Sequence, residues 1–261
     1  MNQEMMEHIK QALKKGTRLD GRRPDEFRKI SIETGFLSTA EGSARVKCGA
    51  AEVLAGVKMA IEKPYPDTPE DGMLMVNAEL LPLSNPEFES GPPSIASIET
   101  ARVIDRGIRE SKTMDTKGLC IEKGEKAWTI AIDVVPVNYD GNLIDLGGLA
   151  AVAALKSAKF PFVDKEGVVD YHKRTDKGVD MKFFPIPVTV SKIGDVLVVD
   201  PTDEEEKAAE SRLTITCLDD EKICALQKGG SNPFTADEIE KMVELAFARA
   251  KEIRAKLQEV K

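Results

Sequence analysis

The chain has 261 residues, of which 41% are hydrophobic and 31% charged, with a formal net charge of -8. That length can bury a sizeable core in one large or two modest units, and no apolar run reaches the ~18 residues that a membrane-spanning helix needs. The acidic balance argues against a protein that coats nucleic acid by bulk electrostatics and leaves room for a local basic patch.

The first residues, Met1 to Glu7, carry acids and no apolar run, unlike a signal or transit peptide, so a cytoplasmic setting is expected. Cys48, Cys120, Cys217 and Cys224 are too widely spaced for a CxxC metal site or a disulfide framework, and they read as reduced core thiols. His8 and His172 both lie in polar stretches and offer no metal site or triad. No cofactor and no metal are expected.

Residues 4–15 read as a helix with Met5 or Met6, Ile9 and Leu13 on one face, stopped by Gly16 and packed as an outer flap. Residues 17–24 form a charged, turn-rich connector. Residues 29–34 alternate as a strand, 44–48 and 53–61 read as hairpin arms, and 73–80 as a further strand. Residues 63–72 and 82–93, rich in proline, are expected as exposed loops. A helix follows over 95–112, then a hairpin arm and turn over 119–128 that lead into a β-branched strand from Trp128 to Val137, ended by Asp140-Gly141. The apolar run 146–156 is helical, with small residues that suit close packing on a sheet.

Residues 159–182, polar with scattered glycines, read as an inter-domain connector, and a second unit is expected from near Phe183. There, 186–191 pairs with 195–200 through Ile193-Gly194, and 213–218 with 222–227 through Asp219-Asp220, before Gly229-Gly230 ends the sheet. A last helix from about Ala236 carries Ile239, Met242, Val243, Ala246, Ala250, Ile253 and Leu257 at helical spacing, so it should cover that sheet. The expected class is mixed α/β (α+β), built of two similar layers of sheet and helix.

Three stretches carry candidate chemistry. The loop after Val137 joins a strand to a helix N-terminus, the usual shape of an anion site, yet Asn138, Tyr139, Asn142, Leu143, Ile144 and Asp145 supply no cation and Asp145 would repel an anion. On the helix over 95–112, Arg102, Arg106 and Arg109 fall within an arc of about 60° at about 100° per residue. Such a row suits a run of phosphates, or else forms a solvated face or ion pairs with Glu99, Asp105 and Glu110. Residues 200–206, Asp-Pro-Thr-Asp-Glu-Glu-Glu, suit Mg²⁺ or acid/base work, although composition favours a solvated turn.

Arg18-x-Asp20-Gly21-Arg22, Glu99-x-x-Arg102-x-x-x-Arg106-x-x-Arg109, the strand 128–137 with Asp140-Gly141-Asn142, and Asp200-Pro201-Thr202 occur in the order seen in RNase PH-like proteins. The resemblance runs from about Thr17 to the final helix. Within that superfamily the sequence is similar to the non-catalytic RNase PH-like subunits of archaeal exosome cores. The resemblance implies an RNase PH-like fold whose first part is ribosomal protein S5 domain 2-like. It divides the chain into an N-terminal helix and connector over 1–27, a first domain over 28–163, and a second with the C-terminal helix over 164–261.

The same resemblance points to losses. Active relatives place an arginine where Ala96 stands and hold inorganic phosphate with a Gly-Thr-Arg or Gly-Ser-Ser loop where Gly141-Asn142-Leu143 stands. Their Asp-Leu-Asn-x-x-Glu-Asp loop is matched at Asp200, but Glu206 replaces the last aspartate and Arg212 a further one. Phosphorolysis needs phosphate held in line with the scissile bond, so no intrinsic turnover and no catalytic residue are expected. The implied role is a ring subunit alternating with a catalytic RNase PH-like partner in a trimer of heterodimers, topped by S1/KH-type RNA-binding cap proteins. Arg102, Arg106 and Arg109 would there contact single-stranded RNA. An active phosphorolytic exoribonuclease or nucleotidyltransferase and a scaffold without RNA contact are the alternatives.

Overall fold

Alternating burial builds the first sheet. A computed structural model describes residues 3–219 and 221–260; Asp220, in the expected Asp219-Asp220 turn, and the first two residues of the chain lie outside the described residues. Strands β1 (Ile30–Thr34), β2 (Gly42–Cys48), β3 (Ala51–Glu62), β4 (Met73–Ala78) and β6 (Lys126–Asn138) lie in the order β1-β2-β3-β6-β4, and β5 (Cys120–Glu122) pairs with β6. β4 runs parallel to β6, while the β1-β2, β2-β3 and β3-β6 pairs are antiparallel. Along β3, Ala51, Val53, Ala55, Val57 and Met59 point inward and the residues between them outward, as period-2 geometry requires.

Two helices meet this sheet, α2 (Ile95–Glu110) and α3 (Leu143–Ser157). α3 packs on β2, β3 and β6 on one side and on β9 (Ile186–Ile193) on the other, which is why it is apolar on all faces. Its glycines permit that approach: a Cβ on Gly148 would lie 2.5 Å from Pro187 Cγ. The second sheet orders β10 (Val196–Val199), β9, β11 (Ser211–Cys217) and β12 (Ile223–Gly230), all antiparallel. α5 (Ala236–Glu259) covers it with Met242, Ala246, Ala250, Ile253 and Leu257, and starts at a Thr235/Glu238 capping box. One continuous apolar cluster joins both sheets through α3.

The structure corrects several expectations. The expected connector contains a two-stranded sheet, β7 (Lys159–Val163) and β8 (Val169–Gly178), anchored by Phe160 packed edge-on against Trp128 at 5.2 Å. α1 (Gln3–Lys14), by contrast, packs on the outside as expected: Ile9 and Leu13 are buried with Ile193, Val198 and Ala208 at the edge of the second sheet. The 82–93 loop is only partly exposed, because Ser84 and Asn85 are buried and the Ser84 carbonyl accepts the Tyr139 N–H. The acidic 200–206 stretch is not a solvated turn. It opens α4 (Asp203–Ala208), whose Thr202/Glu205 capping box satisfies the first-turn N–H groups.

Candidate functional site

The arginines of α2 share a face but not a state. Ser94 caps the helix, its Oγ accepting the Ser97 N–H at 3.2 Å, and Val103, Ile104, Gly107 and Ile108 turn inward. Arg102, Arg106 and Arg109 are left exposed. Arg102 has no protein partner among the described residues. Arg106 Nη1 donates to Gln227 Oε1 of β12 at a weak 3.3 Å. Arg109 is tied down: Nε and Nη2 grip Asp105 at 3.0 and 2.6 Å, and Nη2 also donates to the Leu74 carbonyl at 2.9 Å. Of the acids weighed as partners, Asp105 takes Arg109, whereas Glu99 accepts from Arg212 at 2.8 Å instead.

The strand-to-helix loop is shorter than expected, because α3 begins at Leu143 and leaves only residues 139–142 outside regular structure. Gly141 has φ +75°, and a Cβ there would sit 2.4 Å from the Pro201 carbonyl oxygen, so backbone conformation and space both demand glycine. Asp145 does not face this loop. Buried, it accepts the Thr189 N–H at 2.9 Å and the Thr189 hydroxyl at 2.7 Å, linking α3 to β9. Burial pushes its pKa up to about 7, against the opposing pull of the Thr189 hydrogen bonds.

Asp200, which matches the first aspartate of the active loop, is fully enclosed. Arg28 donates to it from its backbone nitrogen at 2.8 Å, from Nε at 2.9 Å and from Nη2 at 2.7 Å. Arg22 Nη1 adds a contact at 2.7 Å and Asn142 Nδ2 one at 2.9 Å. Burial alone would raise its pKa, but the hydrogen bonds and charge of Arg28, with Arg22 behind them, hold the carboxyl below the ordinary aspartate value. A carboxylate engaged on every side has no free lone pair for a proton or a metal. Arg18 completes the clamp, its buried guanidinium pairing with Glu205 and donating to the Val199 and Asp200 carbonyls. Sequence reasoning took residues 17–24 for a charged, turn-rich connector and missed these roles; the arginines at 18, 22 and 28 gave no spacing that names a partner 172 or more residues away.

Beside this clamp is a cavity of about 340 Å³ lined by Ala96, Tyr139, Leu143, Glu206, Ser211 and Arg212 among others. Glu206 accepts the Asn142 backbone N–H at 2.8 Å and the Tyr139 hydroxyl. Burial raises its pKa, with Tyr139 and the Asn142 N–H pulling the other way. No cluster of His, Cys, Asp and Glu suited to a metal occurs among the described residues.

Residues 26–161 match the model of the 3′ exoribonuclease family, domain 1, and residues 184–249 that of domain 2. The chain belongs to this family, the RNase PH family. Among RNase PH relatives it is 44% identical to the exosome complex component Rrp42 of Thermoplasma acidophilum, over 95% of this chain and 93% of the relative. It is also 44% identical to the Pyrococcus horikoshii protein of that name, over 96% and 92%. Its RNase PH-like fold superposes on a chain of the Archaeoglobus fulgidus exosome with RNA bound to the active site at a TM-score of 0.89, with 40% identity and 97% of each chain covered. A chain of an archaeal exosome core gives 0.87 at 37% identity, covering 98% of this chain and 97% of that one. The rice Rrp46 structure, at 18% identity and a TM-score of 0.71, shares the fold.

Proposed function

We propose that this chain is a subunit of an archaeal exosome, a 3′-to-5′ phosphorolytic exoribonuclease complex, and carries out no phosphorolysis itself. The observation that supports this most strongly is the state of Asp200: the one aspartate that matches the active pattern is spent on Arg22 and Arg28. Ala96 and Leu143 line the adjoining cavity where phosphate ligands would be needed. Without those groups the attacking oxyanion has nothing to hold it in line. The names of the relatives support membership in the complex. The partners are a catalytic RNase PH-like subunit, in a trimer of heterodimers, and S1/KH-type cap proteins. Four unpaired thiols fit a reducing compartment such as the cytoplasm.

The chain's contribution to RNA is backbone contact through Arg102 and Arg106, the two arginines of α2 not held by an acid. Arg109 serves the fold, through Asp105 and Leu74. The test is the salt dependence of single-stranded RNA affinity in the assembled complex. Arg102→Ala with Arg106→Ala lowers the slope of log K against log salt by roughly 0.7 for each lost phosphate contact, and Arg109→Ala leaves it unchanged. An unaltered slope in the double variant favours a scaffold without RNA contact.

A further inference from the structure

Glu99 has two arginines to choose from. It stands three residues before Arg102 on α2, about 60° around the helix, a spacing at which a glutamate and an arginine commonly pair. It takes the other: Arg212 Nη2, reaching over from β11, lies 2.8 Å from Glu99 Oε1. The second sheet leaves a path for that reach. Arg212 is opposite Gly229 of β12, and a Cβ on Gly229 would lie 2.7 Å from the guanidinium carbon, so the arginine crosses the neighbouring strand over a residue that has no side chain.

The ion pair is not what holds α2 in place. Gly107 abuts Thr216 so closely that a Cβ on Gly107 would meet Thr216 Cγ2 at 3.2 Å, and the Cys224 thiol donates to the Gly107 carbonyl at 3.6 Å. The Glu99 and Arg212 side chains are 34% and 32% exposed, and pairs in that setting add little stability. What the pair decides is the state of Arg102. The other acids of α2 do not compete: Asp105 is gripped by Arg109, and Glu110 stands more than two turns beyond Arg102, about 12 Å along the axis. An unclaimed Glu99 turns to Arg102, one turn away on the same side of the helix.

We propose that Arg212 is a positioning residue for RNA, holding Glu99 away from Arg102 so that the Arg102 guanidinium stays open to a phosphate. This deepens the RNA-contact reading of Arg102 and rests on it. Without Arg212, Glu99 pairs with Arg102, and one phosphate contact is lost although no group that touches RNA has been removed. One contact fewer lowers the salt slope by roughly 0.7, which is about fivefold in affinity at about 0.1 M salt.

The test is the affinity of the assembled complex for single-stranded RNA as salt is varied. Wild type is compared with Arg102→Ala, Arg212→Ala, the double variant Arg102→Ala with Arg212→Ala, and the double variant Glu99→Gln with Arg212→Ala. The first three variants are each expected to lose about fivefold, because in the first double variant Arg212→Ala removes a contact already gone. Glu99→Gln with Arg212→Ala is expected to bind as wild type does. A loss of roughly 25-fold in Arg102→Ala with Arg212→Ala means that two independent groups meet RNA and overturns the proposal. So does Arg212→Ala binding like wild type while Arg102→Ala is weakened, or no recovery when Glu99→Gln is added to Arg212→Ala. Arg102→Ala binding like wild type strikes the RNA-contact reading instead. The exchange of partners is then judged separately by a crystal structure of Arg212→Ala: Glu99 within about 4 Å of Arg102 sustains it, and Glu99 left in solvent overturns it.

Discussion

Asp200 is where four segments converge: the 17–28 connector through Arg22 and Arg28, the end of β2 through the Cys48 thiol at 3.6 Å, the 139–142 loop through Asn142, and its own strand end. Removing one side of a buried ion pair leaves uncompensated charge, so Asp200→Ala is expected to cost about 3–5 kcal/mol in urea unfolding. A loss near zero would mean that the arginines find water instead. Because its folded pKa is depressed, the contribution of Asp200 is complete above the ordinary carboxylate range and is lost as pH falls through the folded value. Asp145 acts with the opposite sign. Its folded pKa of about 7 lies above an unfolded value of ~3.9, so the folded chain keeps a proton that the unfolded chain releases. Stability therefore falls as pH rises from about 4 to 7. In Asp145→Asn the amide oxygen accepts the Thr189 N–H and the amide nitrogen donates to the Thr189 hydroxyl, which turns its own proton toward Thr214 Oγ1, 2.8 Å away. The melting temperature of this variant relative to wild type is expected to climb between pH 4 and pH 7 and then level off. A flat difference contradicts the raised pKa.

Among the secondary structure elements, those with a buried face were legible. The period-2 pattern of β3 and the apolar run of α3 follow from half-burial and full burial respectively, and the reading placed both within a few residues. Elements without such a face were not. β8 is polar on both sides and held by Arg174 donating to the Ser38 and Ala40 carbonyls, so no hydrophobic alternation marks it. α4 was visible in principle through Thr202-x-x-Glu205, a capping signature masked by the surrounding acids. The start of α3 was hidden because Asn142 occupies the N-cap in the left-handed region, φ +58°, and gives no side-chain cap. The same tight corner fixes Gly141. Gly141→Ala combines positive φ with a 2.4 Å approach to the Pro201 carbonyl and is expected to cost at least about 1–3 kcal/mol, read from chemical denaturation. Wild-type stability in that variant would show that the 139–142 loop and the start of α4 are free to separate.

The two sheets, α3 between them and the arginine-clamped Asp200 make one body. The order of the family's motifs along the chain was legible in the sequence, and so were Ala96 and Leu143, the positions on which the proposed loss of phosphate ligands rests. The clamp was not, since Arg28 and Asp200 are 172 residues apart and only folding brings them together. A net charge of -8 is compatible with RNA contact because a channel needs positive charge only along its lining, and α2 offers two unclamped arginines on an exposed face. The decisive measurement is incubation of the purified chain alone with poly(A), Mg²⁺ and inorganic phosphate, followed by chromatographic detection of nucleoside diphosphates. The expected result is no release above the no-protein control, with activity appearing once the catalytic RNase PH-like partner is added. Release by the chain alone at a rate near that of the assembled complex would contradict the assignment of Asp200 to structure and the non-catalytic role built on it.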